Sequence, residues 1–202
     1  MRPSDCVHCQ QFPCTDVDHQ GYRIPGIDID PQKVSIVLIS EAAAPSIGED
    51  YYSPGKPLFA QTTVLAFQDA GIAVESIADL LQMGVYLTTA IKCSKTGYGV
   101  QSPTIQACSM LLEQELNMFL NVKAYLLMGD VAIKAVNAIA KRAGQPRVIP
   151  AGSTYKIRGG DFTFRGRPAF PSYLQAGPSF FIEKSKRKMI AEDIAAAFAL
   201  VR

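Results

Sequence analysis

Five cysteines are the residues most able to do chemistry in this chain of 202 residues. Cys6 and Cys9 form a C-x-x-C pair, a spacing that lets two thiolates chelate one metal centre. Cys93 follows directly on an apolar run, and Cys108 falls within the first two turns of a helix predicted to begin near Ser102. A strand end and a neighbouring helix start can converge in space. Cys6, Cys9, Cys93 and Cys108 could therefore meet at one site, as ligands of an iron–sulfur cluster or of a structural zinc. His8 and Cys14 are alternative ligands that the spacing leaves open. The plainer reading is that Cys93 and Cys108 are small buried hydrophobes. An odd number of cysteines fits poorly with a disulfide framework, and in a reducing compartment clustered thiols are ligands or catalytic groups more often than bridges.

The elements that must position these groups are legible from periodicity. VSIVLI (34–39) is a nearly continuous apolar run rich in β-branched residues, as expected of a buried parallel strand. GVYLTTA (84–90), AYLLM (124–128) and PAFPSY (168–173) repeat that pattern. Helical patterns lie between them at 60–71, 102–121 and 130–143, the second opening on Ser102-Pro103 and the third at Asp130 as a cap. TYKIRGGDFTFRG (154–166) reads as a small hairpin turning at Gly159-Gly160. The polar stretch 1–32 reads as an irregular arm. These elements predict one α/β domain over 1–202, a three-layer α/β/α sandwich with a central, mainly parallel four-stranded sheet. The arm would bring ligands to the metal centre.

Composition narrows the function classes. The chain is 48% hydrophobic, enough for a full core, and carries 20 basic against 18 acidic residues. Net charge does not announce a nucleic-acid binder, so any basic surface must be local. MRPSDCVHCQ has no apolar leader, and no apolar run approaches the ~20 residues of a membrane span. A soluble, cytoplasmic protein without membrane contact, acting as a monomer, is expected. The local basic surface is at Lys184, Lys186, Arg187 and Lys188, four basic residues within five positions.

Read in order, the motifs resemble those of the uracil-DNA glycosylase superfamily, and in particular its iron–sulfur (family-4 type) enzymes. The resemblance begins with C-x-x-C and a strand ending in Ser40-Glu41-Ala42-Ala43-Ala44-Pro45, with Glu49-Asp50 beyond it. Gly55-Lys56-Pro57-Leu58-Phe59-Ala60 is similar to the family's G-x-P-F-x-G segment. Tyr86-Leu87-Thr88-Thr89-Ala90-Ile91-Lys92-Cys93 is similar to its Y-x-T-N-x-x-K-C strand. Leu126–Ala132 and Pro171-Ser172-Tyr173-Leu174-Gln175 stand where the family has a strand-G-x-x-A step and a P-T-Y-H-P loop. Two residues depart from that pattern: Thr89 replaces the base-reading Asn and Leu174 replaces the loop His.

The resemblance implies a DNA-repair hydrolase that flips a damaged base out of DNA and cleaves its N-glycosidic bond. It also favours a 4Fe–4S cluster on Cys6, Cys9, Cys93 and Cys108 over zinc. Glu41, with Glu49 and Asp50, would activate water or stabilise the sugar cation; the plainer reading is solvated loop acids or helix caps. Phe59, Thr89, Leu174 and Gln175 would hold the base; the plainer reading is a core aromatic and ordinary strand and loop residues. Lys184, Lys186, Arg187 and Lys188 would meet the DNA backbone, or form only a solvated helix face. A Thr hydroxyl offers one rotating group where an Asn amide both donates and accepts, and a Leu cannot stabilise a departing anion. Two further readings therefore stand beside the enzyme: a non-catalytic, lesion-sensing DNA binder on the same fold, and a metal-stabilised domain that binds free nucleotides.

Overall fold

A computed structural model describes residues 1–201. The chain begins with α1 (Pro3–Cys6), β1 (Val17–Asp18) and a 3-10 turn at His19–Gly21, then enters the body with β2 (Ile36–Ala43). Helices α2 (Leu58–Asp69) and α3 (Ile77–Gln82) lead to β3 (Val85–Lys95), and α4 (Ser102–Leu116) leads to β4 (Ala124–Met128). Then follow α5 (Asp130–Arg142), α6 (Thr154–Ile157), β5 (Thr163–Phe164), β6 (Arg167–Ser172) and α7 (Lys184–Phe198). None of the described helices is long and apolar enough to cross a membrane.

The sheet has six strands in the order β1-β3-β2-β4-β6-β5. Its inner four run parallel, and the two-residue strands β1 and β5 close the edges antiparallel. The expected four-stranded sheet is thus the parallel centre of a larger one. Edge strands of two residues carry no period that a sequence pattern can register. Apolar side chains alternate across the sheet: Ile36 and Leu38 pack with Phe67 of α2 and Ile190 and Ile194 of α7. Val37 and Ile39 face the other way, against Leu112 of α4 and Val136 of α5. That two-sided burial makes the strands read as continuous apolar runs.

Two local expectations change. Residues 154–157 form the single helical turn α6, and the hairpin lies further on, between β5 and β6. Its turn is Arg165-Gly166, where φ is 53° and 72°. Positive φ at both central residues suits the right-handed twist of a two-residue hairpin, and the Gly159-Gly160 pair is spent in a loop instead. Helix α4 is capped from outside: Ser102 lies inside the helix, and Asp16 of the arm accepts from the Gln101 N–H at 2.6 Å and from the Thr104 hydroxyl. Burial raises the Asp16 pKa, but the bonds from Gln101 and Thr104 outweigh it and hold the carboxyl below its usual range.

One ion pair among the described residues is fully buried. Lys92 of β3 pairs with Glu115 of α4, both without solvent exposure. Tyr86 and Thr88 donate to the same carboxylate, and Lys92 Nζ also donates to the Thr88 hydroxyl at 2.8 Å and the Thr89 carbonyl at 2.6 Å. With every partner in place the pair ties α4 to β3 in one register. Lys92→Met would strand the Glu115 charge and should cost about 3–5 kcal/mol in urea denaturation. Lys92→Met combined with Glu115→Leu should recover part of that loss.

Candidate functional site

β2 sits at the centre of the parallel strands, with β3 on one side and β4 on the other. The chain leaves β2 toward β3 and later crosses to β4, so the two connections diverge at the carboxyl ends of β2 and β4. Open α/β sheets place ligands in such a crevice. Pairing between these strands covers Ile36–Ile39 of β2 only, so β2 runs on past the end of β4 and carries Glu41 over Gly129. A Cβ on Gly129 would lie 2.6 Å from Glu41 Oε1, and φ there is +99°. Both facts require glycine. On its other oxygen Glu41 accepts from Lys95 Nζ at 2.9 Å.

A cleft of ≈ 330 Å³ opens at this point, lined by Glu41, Asp130, Tyr173, Leu174, Lys186 and Arg187, among others. Three of the candidate groups named from sequence (Glu41, the loop residue Leu174 and two of the basic residues) therefore share one space. The basic residues differ in their freedom. Lys186 pairs with Glu183 at 2.6 Å and lies over the Tyr173 ring, and Arg187 is held by Asp69 and lies over the Phe180 ring. Lys184 and Lys188 are exposed, with no ion-pair partner among the described residues. Beside them Phe181 and Ile182 are also exposed, an apolar pair where the chain enters α7.

The remaining candidates lie elsewhere. Asp50 and Thr89 line a smaller cavity of ≈ 160 Å³ with Arg23, Tyr51, Tyr52 and Leu87. The Asp50 carboxylate faces Arg23 at 3.4 Å and accepts from the Tyr51 N–H. The Thr89 hydroxyl donates to the Ile91 carbonyl at 2.9 Å. Glu49 accepts from the Leu58 N–H at 2.6 Å, which makes it a cap on the first turn of α2. Phe59 is buried against Tyr51, ring centres 5.3 Å apart.

Gln175 is fully buried as well. Its amide donates to the Tyr51 hydroxyl at 2.9 Å and to the Thr63 hydroxyl at 3.2 Å, while its Oε1 has no partner. Tyr51 in turn donates to Ser40 at 2.7 Å. Burial drives the Tyr51 pKa upward, so it remains a neutral donor. This chain of bonds fastens the loop carrying Leu174 to the strand carrying Glu41. Sequence reasoning missed Tyr51 and Lys95; a Tyr in a polar loop and a Lys at a strand end carry no signal of their own.

The cysteines lie away from this cleft, in the arm, on β3 and on α4. Cys93 of β3 and Cys108 of α4 are buried, Cys9 and Cys14 are half-buried, and Cys6 at the end of α1 is exposed. Burial, then the neighbouring Cys108, Cys14 and Cys9, push the Cys93 thiol up to about 12. Burial raises Cys108 to about 11, although a backbone hydrogen bond from Lys92 pulls it back. Among the described residues no three His, Cys, Asp or Glu side chains are grouped as ligands of a metal ion. The donor chemistry suits a group with several metal atoms: soft sulfurs from three segments, an apolar wall, and a backbone hydrogen bond on one sulfur. No known protein family and no curated protein matches this chain.

The close approach of Glu41 to Gly129 gives a direct test. Gly129→Ala should cost about 1–3 kcal/mol, the range for a strained backbone position. Combining it with Glu41→Ala removes the overlap but not the strain, so a urea double-mutant cycle should show positive but partial recovery.

Proposed function

We propose that this chain is a DNA glycosylase-like protein that hydrolyses the N-glycosidic bond of uracil or another damaged base flipped out of DNA. The observation that carries the proposal is the cleft at the ends of β2 and β4. There Glu41, the loop residue Leu174 and the basic start of α7 face one space. An acid facing a strip of Lys and Arg is what a phosphate-bound sugar needs. The basic residues hold the backbone, and the acid meets the positive charge that grows at C1′ as the base leaves.

In that reading Lys184 and Lys188, exposed at the rim, bind phosphates, and Phe181 and Ile182 press against the bases beside the extruded nucleotide. Glu41, oriented by Lys95 and seated on Gly129, takes a proton from water as the water oxygen bonds to C1′ and the base departs with the bond's electron pair. Thr89 lines the neighbouring ≈ 160 Å³ cavity, where the base would be held, and Phe59 packs on Tyr51 of that lining. Cys9, Cys93 and Cys108 with a fourth thiolate would hold a 4Fe–4S cluster, which when bound cross-links the arm to β3 and α4. It takes no part in the hydrolysis.

A second reading is favoured by one observation. The Thr89 hydroxyl is spent on the Ile91 carbonyl and Leu174 offers no donor, so two groups that would speed base release are missing. This suits a protein that senses lesions and binds DNA without turnover. Single-turnover assays on oligonucleotides carrying uracil, hypoxanthine and oxidised pyrimidines separate the two. For an enzyme, Glu41→Gln should lower base release about 10²-fold or more while DNA affinity stays level or tightens. Thr89→Asn with Leu174→His should raise uracil release. No release from any substrate, before or after these substitutions, would leave the binding protein.

The basic rim has its own test. Lys184→Gln with Lys188→Gln should weaken DNA binding and lower the log–log salt slope by about one unit for each phosphate that is no longer neutralised. Lys186→Gln should matter less, because Glu183 and the Tyr173 ring already engage it.

A further inference from the structure

The arm cysteines that the fold ties to β3 and α4 are not the pair that the C-x-x-C spacing selects. Cys14 packs against the same apolar cluster that contains Cys93 and Cys108. Its position is fixed by the residues that follow it. Asp16 is bonded to the Gln101 N–H and the Thr104 hydroxyl, and Thr104 lies one helical turn before Cys108. Val17 and Asp18 then pair with Lys95 and Ser94, next to Cys93 in β3. Cys14 is thus held from both sides of the site, by the start of α4 and by the edge of β3.

Cys9 is brought to the same place by its own N–H, which donates to the Tyr22 hydroxyl at 2.9 Å. The ring of Tyr22 is packed on Phe12, which has a left-handed φ of 44°, with ring centres 5.0 Å apart. The chain 9–22 therefore folds back on itself, and Arg23, the residue after Tyr22, donates its N–H to the Lys92 carbonyl at 2.7 Å, which brings the Cys9 end of the arm beside Cys93. Cys6 ends α1 and is exposed, whereas the next residue, Val7, is buried.

We infer that Cys9, Cys14, Cys93 and Cys108 are the four thiolate ligands of the metal centre, and that Cys6 is a free surface thiol. The inference rests on the cluster belonging to the proposed function, and it assigns the ligand that spacing leaves open. The N-terminal ligand pair is then C-x4-C, Cys9 to Cys14, wrapped around the Phe12 turn.

The unsubstituted protein, Cys6→Ser and Cys14→Ser are purified anaerobically, and iron, zinc and visible absorption are measured per chain. The unsubstituted protein and Cys6→Ser should be brown and carry about four irons, and Cys14→Ser should lose most of both colour and iron. The reverse pattern overturns the ligand assignment and leaves the cluster standing. A zinc ion in place of iron, kept by Cys6→Ser and lost by Cys14→Ser, upholds the ligand set and overturns the cluster. No metal in any preparation overturns both. Because Cys14→Ser could also fail to fold, the native unsubstituted protein is alkylated with iodoacetamide and mapped by mass spectrometry. Cys6 should take the label while the other four cysteines are protected. Labelling of Cys14, or protection of Cys6, overturns the assignment.

Discussion

Parallel pairing on both sides of β2 is the constraint on which the candidate site depends. Parallel strands all end on one edge, so the loops after β2, β4 and β6 must meet there. Because β2 is longer than its pairing with β4, its last residues overhang that edge, and Glu41 comes to rest where α5 begins. Only a residue without a Cβ can start that helix. The loop after β6 brings Leu174, and α7 packs back over β4 and β6 with its basic first turn at the same opening. Charge, loop and acid are assembled by topology rather than by proximity in sequence.

The interior is polar where it needs to be rigid. The Lys92–Glu115 pair holds α4 on β3, and Cys93 and Cys108 sit on those same two elements. The arm closes over them through Asp16, which supplies the cap that α4 lacks in its own sequence. On the far side of β2, Gln175, Tyr51 and Ser40 hold the Leu174 loop in register with Glu41. Two separate networks thus fix the two ends of β3 and β2 that carry the candidate residues, and neither uses an exposed ion pair, where salt would weaken it.

The parallel centre and the main helices are readable in the sequence because their burial is two-sided and their lengths are ordinary. The edge strands β1 and β5 are not, since two residues contain no period. Gly159-Gly160 has the look of a hairpin turn, while the actual turn uses Arg165, a residue that seldom adopts positive φ. Glu41 and the basic start of α7 are legible from their places at a strand end and in a charge run. Glu49 as a helix cap, Gln175 as a buried brace and Asp16 as a cap from the arm are not. Each role is defined by a partner distant in the chain, from 9 residues for Glu49 to 124 for the Gln175–Tyr51 bond. For the cysteines, the C-x-x-C spacing selects Cys6, but Cys6 at the end of α1 is exposed, while Cys14 packs against the apolar cluster that contains Cys93 and Cys108.

Hydrogen exchange with and without an oligonucleotide carrying a stable abasic-site analogue would test most directly whether the β2–β4 cleft receives DNA. Protection is predicted at the end of β2, the start of α5, the Leu174 loop and the first turns of α7. Protection confined to the groove between α4 and α5, around Met110 and Arg147, or no protection at saturating DNA, would contradict it.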